Sequence, residues 1–316
     1  MFFLFPFYYC SILVIAIGLD HWLGEPSRWH PLRGFGSLVT AVERWFWRGH
    51  VGARKQRLAG LVAFLVATSV VTLTVVVLQW LMYPLPVIDF LVSVIIVYAC
   101  IAARSLREHA QAIVQPLLAN NLELARNKLS CIVSRDTDQL SEPEIAAAVC
   151  ESVLENGSDG VFAAIAWFLI AGLPGVVLYR AVNTLDAMWG YKNQRYNDFG
   201  WAAAKADDVM NWLPARLVAL SYALMGNFQS AINCWSQQAS QWKSPNAGPV
   251  MAAGAGSLKI CLGGDARYHG ERQARPQLGC GNAPGVDDIA RALALITRVL
   301  ILWVAVLLLL AVVIQR

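Results

Sequence analysis

From Leu58 to Tyr83 the chain runs without one charged side chain, and Val and Leu dominate the run. A helix needs about 20 apolar residues to cross the hydrocarbon core of a bilayer, so this stretch predicts a membrane span. Residues 1–19 carry no charge either. No basic stretch precedes them and no small-residue cleavage site follows, so they read as a retained first helix rather than a signal peptide. Residues 87–103 return after the tight turn Tyr83-Pro84-Leu85-Pro86, with Asp89 near their entrance, and residues 292–315 form a last span from which Arg298 can snorkel. A further run, 161–179, is interrupted by Gly172, Pro174 and Gly175, and predicts a kinked span or a re-entrant hairpin.

A chain of 316 residues would ordinarily suggest one or two soluble domains. With 57% hydrophobic and 15% charged residues, the expectation is instead one membrane-embedded domain over 1–316. It is all-α, a polytopic helix bundle whose cytoplasmic helical loops carry the site. The net charge of +4 comes without a basic run dense enough for nucleic acid. The seven cysteines form no CxxC and no zinc spacing, and read as reduced thiols of a cytoplasm-facing protein. The histidines show no HxxxH or HxxE pairing and read as structural or surface residues. No Walker A motif and no GxGxxG occurs, so spacing alone assigns no nucleotide site.

Orientation follows from Lys and Arg. The 20–57 loop carries Arg28, Arg33, Arg44, Arg48, Arg54, Lys55 and Arg57, and the loop after 103 carries Arg104, Arg107, Arg126, Lys128 and Arg135. The N-terminus is therefore expected outside, with both basic loops in the cytoplasm. For 183–217 to meet the 104–160 loop, either 161–179 is re-entrant or broken, or the apolar 213–226 crosses again.

The stretch Asn183–Leu217 gathers Asp186, Asp198, Asp207, Asp208, Lys192, Arg195, Lys205 and Arg216 between apolar blocks. Ionisable groups so placed in a membrane protein predict a site, here one for anionic substrates and a metal at the bilayer surface. Asp207 and Asp208 fall in the C-terminal half of an expected helix 201–212, which Pro214 ends or kinks, and there they oppose the macrodipole. Asn211 stands at i+4 and i+3 from them. Such an oxygen set suits Mg²⁺ completed by substrate phosphates; pairing with Lys205 or Arg216 is the plain alternative. Lys192 and Arg195, beside Asn183 and Asp186, could grip a phosphate or serve as ordinary membrane-edge cations.

Ser141-Glu142-Pro143-Glu144 reads as a capping box, opening a helix that Asn156-Gly157 should close. Glu144, Glu151 and Glu155 share one face of it. Like charges four apart repel by a few tenths of a kcal/mol, so Glu151 and Glu155 call for a cation, unless the face is simply solvated. Ser244–Pro249 reads as a rigid turn before a small-residue helix, 250–262, whose first N–H groups could face an anion. Residues 263–288, rich in Gly and Pro, read as a long polar loop, a mobile lid or a disordered connector.

These motifs together resemble a known family. Asp20 with GEPSRWHP at 24–31, SRDTDQL at 134–140, ESVLENGSDG at 151–160 and NTLDAMWGYKNQRYNDFG at 183–200 carry the likeness. DDVMNWLPARL at 207–217, SPNAGP at 244–249 and LGGDARYHG at 262–270 complete it. The chain is similar, collinearly and over nearly its whole length, to the CobD/CbiB family, the adenosylcobinamide-phosphate synthases of cobalamin (vitamin B12) biosynthesis. One departure is Gly24-Glu25-Pro26, where many members have Gly-Asp-Pro.

The resemblance implies a multi-pass inner-membrane ligase with its active site facing the cytoplasm. It would join adenosylcobyric acid to (R)-1-aminopropan-2-ol or its O-phosphate through an amide, consuming ATP with Mg²⁺. On it, Glu151, Glu155, Asp159 and Asp186 are catalytic candidates. Arg135, Asp136, Asn183, Tyr191, Lys192, Arg195, Arg216, Ser244 and Asn246 would hold substrate or phosphate, and Asp207, Asp208 and Glu155 a metal. Its partners would be the corrinoid, the aminopropanol and membrane lipid, with no nucleic acid, and with room for a complex of late cobalamin-pathway proteins. Two other classes stay open: an Mg²⁺-dependent membrane prenyl or diphosphate transferase, and a non-catalytic membrane sensor. A transporter would want mid-membrane charge and an internal repeat, and neither is clear. The spatial expectation is that Glu155, Asp208, Arg195 and Asn246 meet in one pocket open to the cell interior.

Overall fold

The uncharged runs become helices. A computed structural model of the chain describes residues 5–25, 31–49, 52–191, 193–268 and 270–314, without the side chains of residues 5 and 6. Lys192 and residues 26–30 of the 24–31 motif lie outside the described residues. The chain divides into two compact units: Met1–Ala102, Ala163–Asn211 and Ala311–Arg316 make the first, and Ala103–Phe162 with Trp212–Leu310 the second.

The first unit is built on α1 (Phe5–Leu23), α2 (Pro31–Phe46), α3 (Ala53–Met82), α4 (Pro86–Cys100), α8 (Ala163–Trp189), α9 (Tyr196–Phe199) and α10 (Trp201–Met210). The amphipathic α2 lays Phe35, Val39 and Val42 onto Ala63 and Ala67 of α3 and onto Ala181, Leu185 and Trp189 of α8. Helix α8 is bent, as the interrupted run predicts. Ala171 and Gly172 leave helical geometry, Gly172 at φ 65° and ψ −152°, a region open essentially to glycine alone.

The second unit holds α5 (Ala103–Leu118), α6 (Leu122–Leu129), α7 (Glu142–Gly157), α11 (Trp212–Met225), α12 (Phe228–Gln238), α13 (Ala247–Leu258) and most of α14 (Val286–Ile314). At its centre α13 is buried along its whole length, packed by α7, α11 and α12. Its Ala and Gly residues are what let neighbouring backbones come that close.

Among the described residues, four helical segments are long and apolar enough to cross a membrane: Ala53–Met82, Pro86–Leu118, Glu142–Trp189 and Val286–Ile314. Phe7–Leu23 and Trp212–Met225 are shorter apolar helices.

Several expected boundaries move, each for a physical reason. Helix α7 ends at Gly157 as expected, but no break follows; the chain continues through a π-helical turn, Ser158–Phe162, into α8. Gly157 is there for space, since a Cβ would stand 2.5 Å from the Ile296 Cδ1. Residues 263–288 are not a structureless loop. Strands β1 (Cys261–Gly263) and β4 (Gln277–Gly279) pair antiparallel, as do β2 (Ala266–Tyr268) and β3 (Glu271–Gln273). Helix α13 stops at Leu258, not 262, because Lys259 turns left-handed at φ 55°. Helix α10 ends at Met210, and Pro214 sits in the first turn of α11, where its missing N–H costs nothing. Helix α14 begins at Val286 rather than 292. Asp287 and Asp288 lie in its first turn, and Asp288 Oδ2 accepts the Gly285 N–H at 2.9 Å.

Candidate functional site

Two groups of polar side chains stand out, one in each unit. In the first, α8 and α10 bring the Asn183 motif to Asp207. Asp207 Oδ1 accepts from Asn183 Nδ2 at 3.3 Å, and its Oδ2 from Asn211 Nδ2 at 2.9 Å. Asn211 is itself fixed, because its Oδ1 accepts from the Tyr179 hydroxyl at 2.9 Å and only its NH₂ is left to face the carboxylate. Asp186 lies close enough to feel the charge of Asp207 and Asp208. Lys205 Nζ reaches Asp208 Oδ2 at 3.2 Å, the plain pairing, and Arg216, in the other unit, is engaged with Asn246. Burial pushes the Asp207 carboxyl above its ordinary value, although both amides favour its charged form.

No three His, Cys, Asp or Glu side chains among the described residues close around one point as a metal cage. What Asp207 and Asp208, neighbours on α10, offer is oxygen atoms only, with Asp186 within electrostatic reach. That fits the way Mg²⁺ is held, by one or two carboxylates with waters and substrate phosphates supplying the rest. Glu155, also expected as a metal ligand, belongs to the other unit.

Arg195 is committed within its own unit. Its Nε and Nη2 donate to Glu43 Oε1 at 2.9 and 2.6 Å, and its guanidinium lies 4.9 Å from the Trp47 ring centroid. Tyr196 and Trp189 complete the grip on Glu43, at 3.1 and 3.2 Å. This arrangement ties α2 to the segment after α8. Tyr191 is exposed.

In the second unit the cation that Glu151 and Glu155 call for is present twice, and the face is not a solvated one. Arg135 Nη2 donates to Glu151 Oε2 at 3.1 Å, while Arg275 donates to Oε2 at 3.3 Å and to Oε1 at 3.2 Å. The Gly263 N–H adds a bond to Oε1 at 2.8 Å. All three side chains are close to buried. A cavity of about 270 Å³ opens beside them, lined by Ser134, Arg135, Glu151, Ser152, Glu155 and Tyr268 among others. No donor is bonded to Glu155 among the described residues, so its carboxylate is available to a ligand.

The SRDTDQL and LGGDARYHG motifs, far apart in sequence, are zipped together. Asp136 Oδ2 accepts the Gly270 N–H at 2.7 Å, the Asp136 N–H donates to the Arg267 carbonyl at 2.9 Å, and Arg267 reaches Gln139 at 2.9 Å. A second cavity of about 720 Å³ lies there, with Asp136, Asp138, Glu144, Arg267 and Arg272 on its walls. In the SPNAGP motif, Arg216 donates to Asn246 Oδ1 at 2.9 Å and to the Pro245 carbonyl at 3.0 Å, while Ser244 Oγ accepts the Ala247 N–H at 3.2 Å. Asp159, in the π-turn, acts electrostatically on the Tyr222 phenol.

Of the four residues expected to meet, Asp208 and Arg195 belong to the first unit, Glu155 and Asn246 to the second. Sequence reasoning missed Arg275, Glu43 and Tyr179. Only Arg275 had a signal: two glutamates one turn apart on an apolar face, asking for a cation from elsewhere.

A family model described as CobD/Cbib protein matches residues 13–296. The cobalamin biosynthesis protein CobD of Chromobacterium violaceum is 53% identical over 296 residues, 93% of this chain and 94% of its own. Its namesake from Stutzerimonas stutzeri is 52% identical over 301 residues, 94% and 97% of the two chains. That of Halalkalibacterium halodurans is 40% identical over 301 residues, 92% and 93%. No solved structure matches the chain.

Proposed function

Because the chain belongs to the CobD/Cbib family, we propose that it is the cobalamin-biosynthetic enzyme that forms the amide between adenosylcobyric acid and (R)-1-aminopropan-2-ol or its O-phosphate. The observation that carries the reading is the match over 13–296, which contains every motif from SRDTDQL to LGGDARYHG.

The chemistry asks for specific groups. A carboxylate resists attack by an amine until an oxygen is made a leaving group; transfer of the terminal phosphoryl group of ATP to the substrate carboxylate, releasing ADP, does this. The amine then attacks the carbonyl carbon, gives up a proton, and expels phosphate. Arg135 and Arg275 offer guanidinium N–H groups at one wall of the 270 Å³ cavity, where a planar fork suits carboxylate or phosphate. Glu151, already bonded by both arginines and a backbone N–H, orients them. Glu155, to which no donor is bonded among the described residues, would take the amine proton. The corrin ring is far larger than this cavity, so only its carboxylate-bearing arm would enter.

Asp207 and Asp208 would hold Mg²⁺ together with substrate phosphates, offsetting phosphate charge, and Asp186 keeps its place as a catalytic candidate. Arg216, Asn246 and Ser244 remain candidates for substrate contact, as do Asn183, Tyr191, Lys192 and Asp136, and Asp159 remains a catalytic candidate. Arg195 keeps a phosphate role only if it leaves Glu43. The protein would sit in the inner membrane with the site toward the cytoplasm, as the basic loops suggest.

The test is complementation. A strain lacking its own synthase, supplied with cobyric acid, should grow when it carries this chain and should fail with Asp208→Asn. Failure of the unmodified chain at normal membrane expression would count against the reaction. Full rescue by Asp208→Asn would remove that residue from the metal set.

A further inference from the structure

Arg54, Lys55 and Arg57 crowd the first turns of α3, and from Leu58 onward that helix carries no charge. At 1.5 Å per residue a helix of 30 residues is about 45 Å long, roughly 15 Å more than the hydrocarbon core it would cross. The charged end, Ala53–Arg57, takes up about 7.5 Å, half of that excess. With the charge-free run starting at Leu58, the three cations fall on the polar side of the boundary between headgroups and acyl chains.

At that level the surface is grooved. Arg54, Lys55, Arg57, Leu58, Leu61 and Trp201 line a hollow of about 440 Å³. Its floor is apolar and open, with Leu58 63% and Trp201 44% exposed, and its rim is cationic. Trp201, the first residue of α10, is held over α3 by close packing of the preceding segment. A Cβ at Gly60 would stand 1.9 Å from the Phe199 carbonyl oxygen. Asp198 engages one of the three cations, Arg57, at 2.9 Å. Arg54 and Lys55 are exposed and meet no carboxylate among the described residues.

We propose that this groove binds an anionic phospholipid, with its phosphate between Arg54 and Lys55 and an acyl chain along Leu58 and Leu61 beneath the Trp201 ring. The two halves of the groove select the occupant together. A free phosphate would leave the leucines uncovered, and a zwitterionic lipid would bring its own cation to a rim that already has a surplus. Neighbouring basic residues at a membrane surface each contribute about 1 kcal/mol toward anionic lipid, which is roughly fivefold in affinity.

The full chain in detergent, titrated with phosphatidylglycerol or with phosphatidylcholine of the same acyl chains, tests this by native mass spectrometry. Phosphatidylglycerol should bind preferentially, and the preference should shrink as salt is raised. Arg54→Gln and Lys55→Gln should each weaken it about fivefold, with phosphatidylcholine adducts unchanged. Asp198→Asn, which frees Arg57, should tighten phosphatidylglycerol binding. Equal binding of the two lipids overturns the proposal, as does a salt-independent preference, a preference that survives loss of both cations, or full displacement of the lipid by inorganic phosphate. The salt series on the unmodified chain decides the matter even if a variant folds poorly.

Discussion

Glu151 and Glu155 are one helical turn apart, yet their surroundings divide the labour. Glu151 accepts from two guanidiniums and a backbone N–H, while Glu155 lines the same cavity and takes no hydrogen bond among the described residues. Breaking a nearly buried ion pair from one side costs about 3–5 kcal/mol, because it leaves uncompensated charge. Arg275→Ala should therefore lower the melting temperature measurably as well as abolish activity. Glu155→Gln should leave the melting temperature near that of the parent chain and still abolish activity. A Glu155→Gln enzyme of full activity would remove that residue from the proton transfer.

Asp207 gives a pH prediction. Its carboxyl titrates higher folded than unfolded, so its contribution to stability is present at low pH and is lost as pH rises through the folded value. If Asp207 must be ionised to work, the acid limb of the rate profile lies above the ordinary aspartate range. The Tyr179 hydroxyl fixes the Asn211 amide that supports the charged form. Tyr179→Phe should shift that limb to higher pH with little change in rate at its plateau, which a purely structural loss would not do.

At the scale of elements, α8 shows what a sequence can and cannot say. Gly172, Pro174 and Gly175 announced an interruption, and the break at Ala171–Gly172 is where they put it. Gly172→Ala places a Cβ at positive φ and 3.1 Å from the Tyr9 hydroxyl, so it should destabilise the detergent-solubilised protein by about 1–3 kcal/mol. Gly18, inside α1 with nothing within 4 Å of a Cβ, is the control. Gly18→Ala should be neutral or stabilising by up to about 1 kcal/mol. Circular dichroism melts of the two variants check both signs.

The opposite case is Asn156-Gly157, a helix-stop signal by composition. What it serves is close packing against Ile296 and Tyr222, partners supplied by segments distant in sequence. Local rules could not see them. The 263–288 region failed likewise, because three-residue strands leave no period to detect.

At the scale of the molecule, the spans were the legible part, since charge-free length is a local property that a bilayer reads directly. The runs at 58–83 and 292–315 became α3 and α14, and the 87–103 run became α4 with the start of α5. The site was legible as a set of motifs and illegible as a set of pairings. Arg195 looked like an anion grip, and is bonded to Glu43 across a sequence gap that no spacing argument bridges. Arg275 lay in a stretch read as loop, and it holds Glu151.

The reaction itself is the claim everything else serves, and it has a direct measurement. Detergent-purified chain, given adenosylcobyric acid, (R)-1-aminopropan-2-ol O-phosphate, ATP and Mg²⁺, should yield the amide by mass spectrometry, with one ADP and one phosphate for each amide formed. No amide under those conditions, with diphosphate released from a prenyl donor instead, would contradict the account.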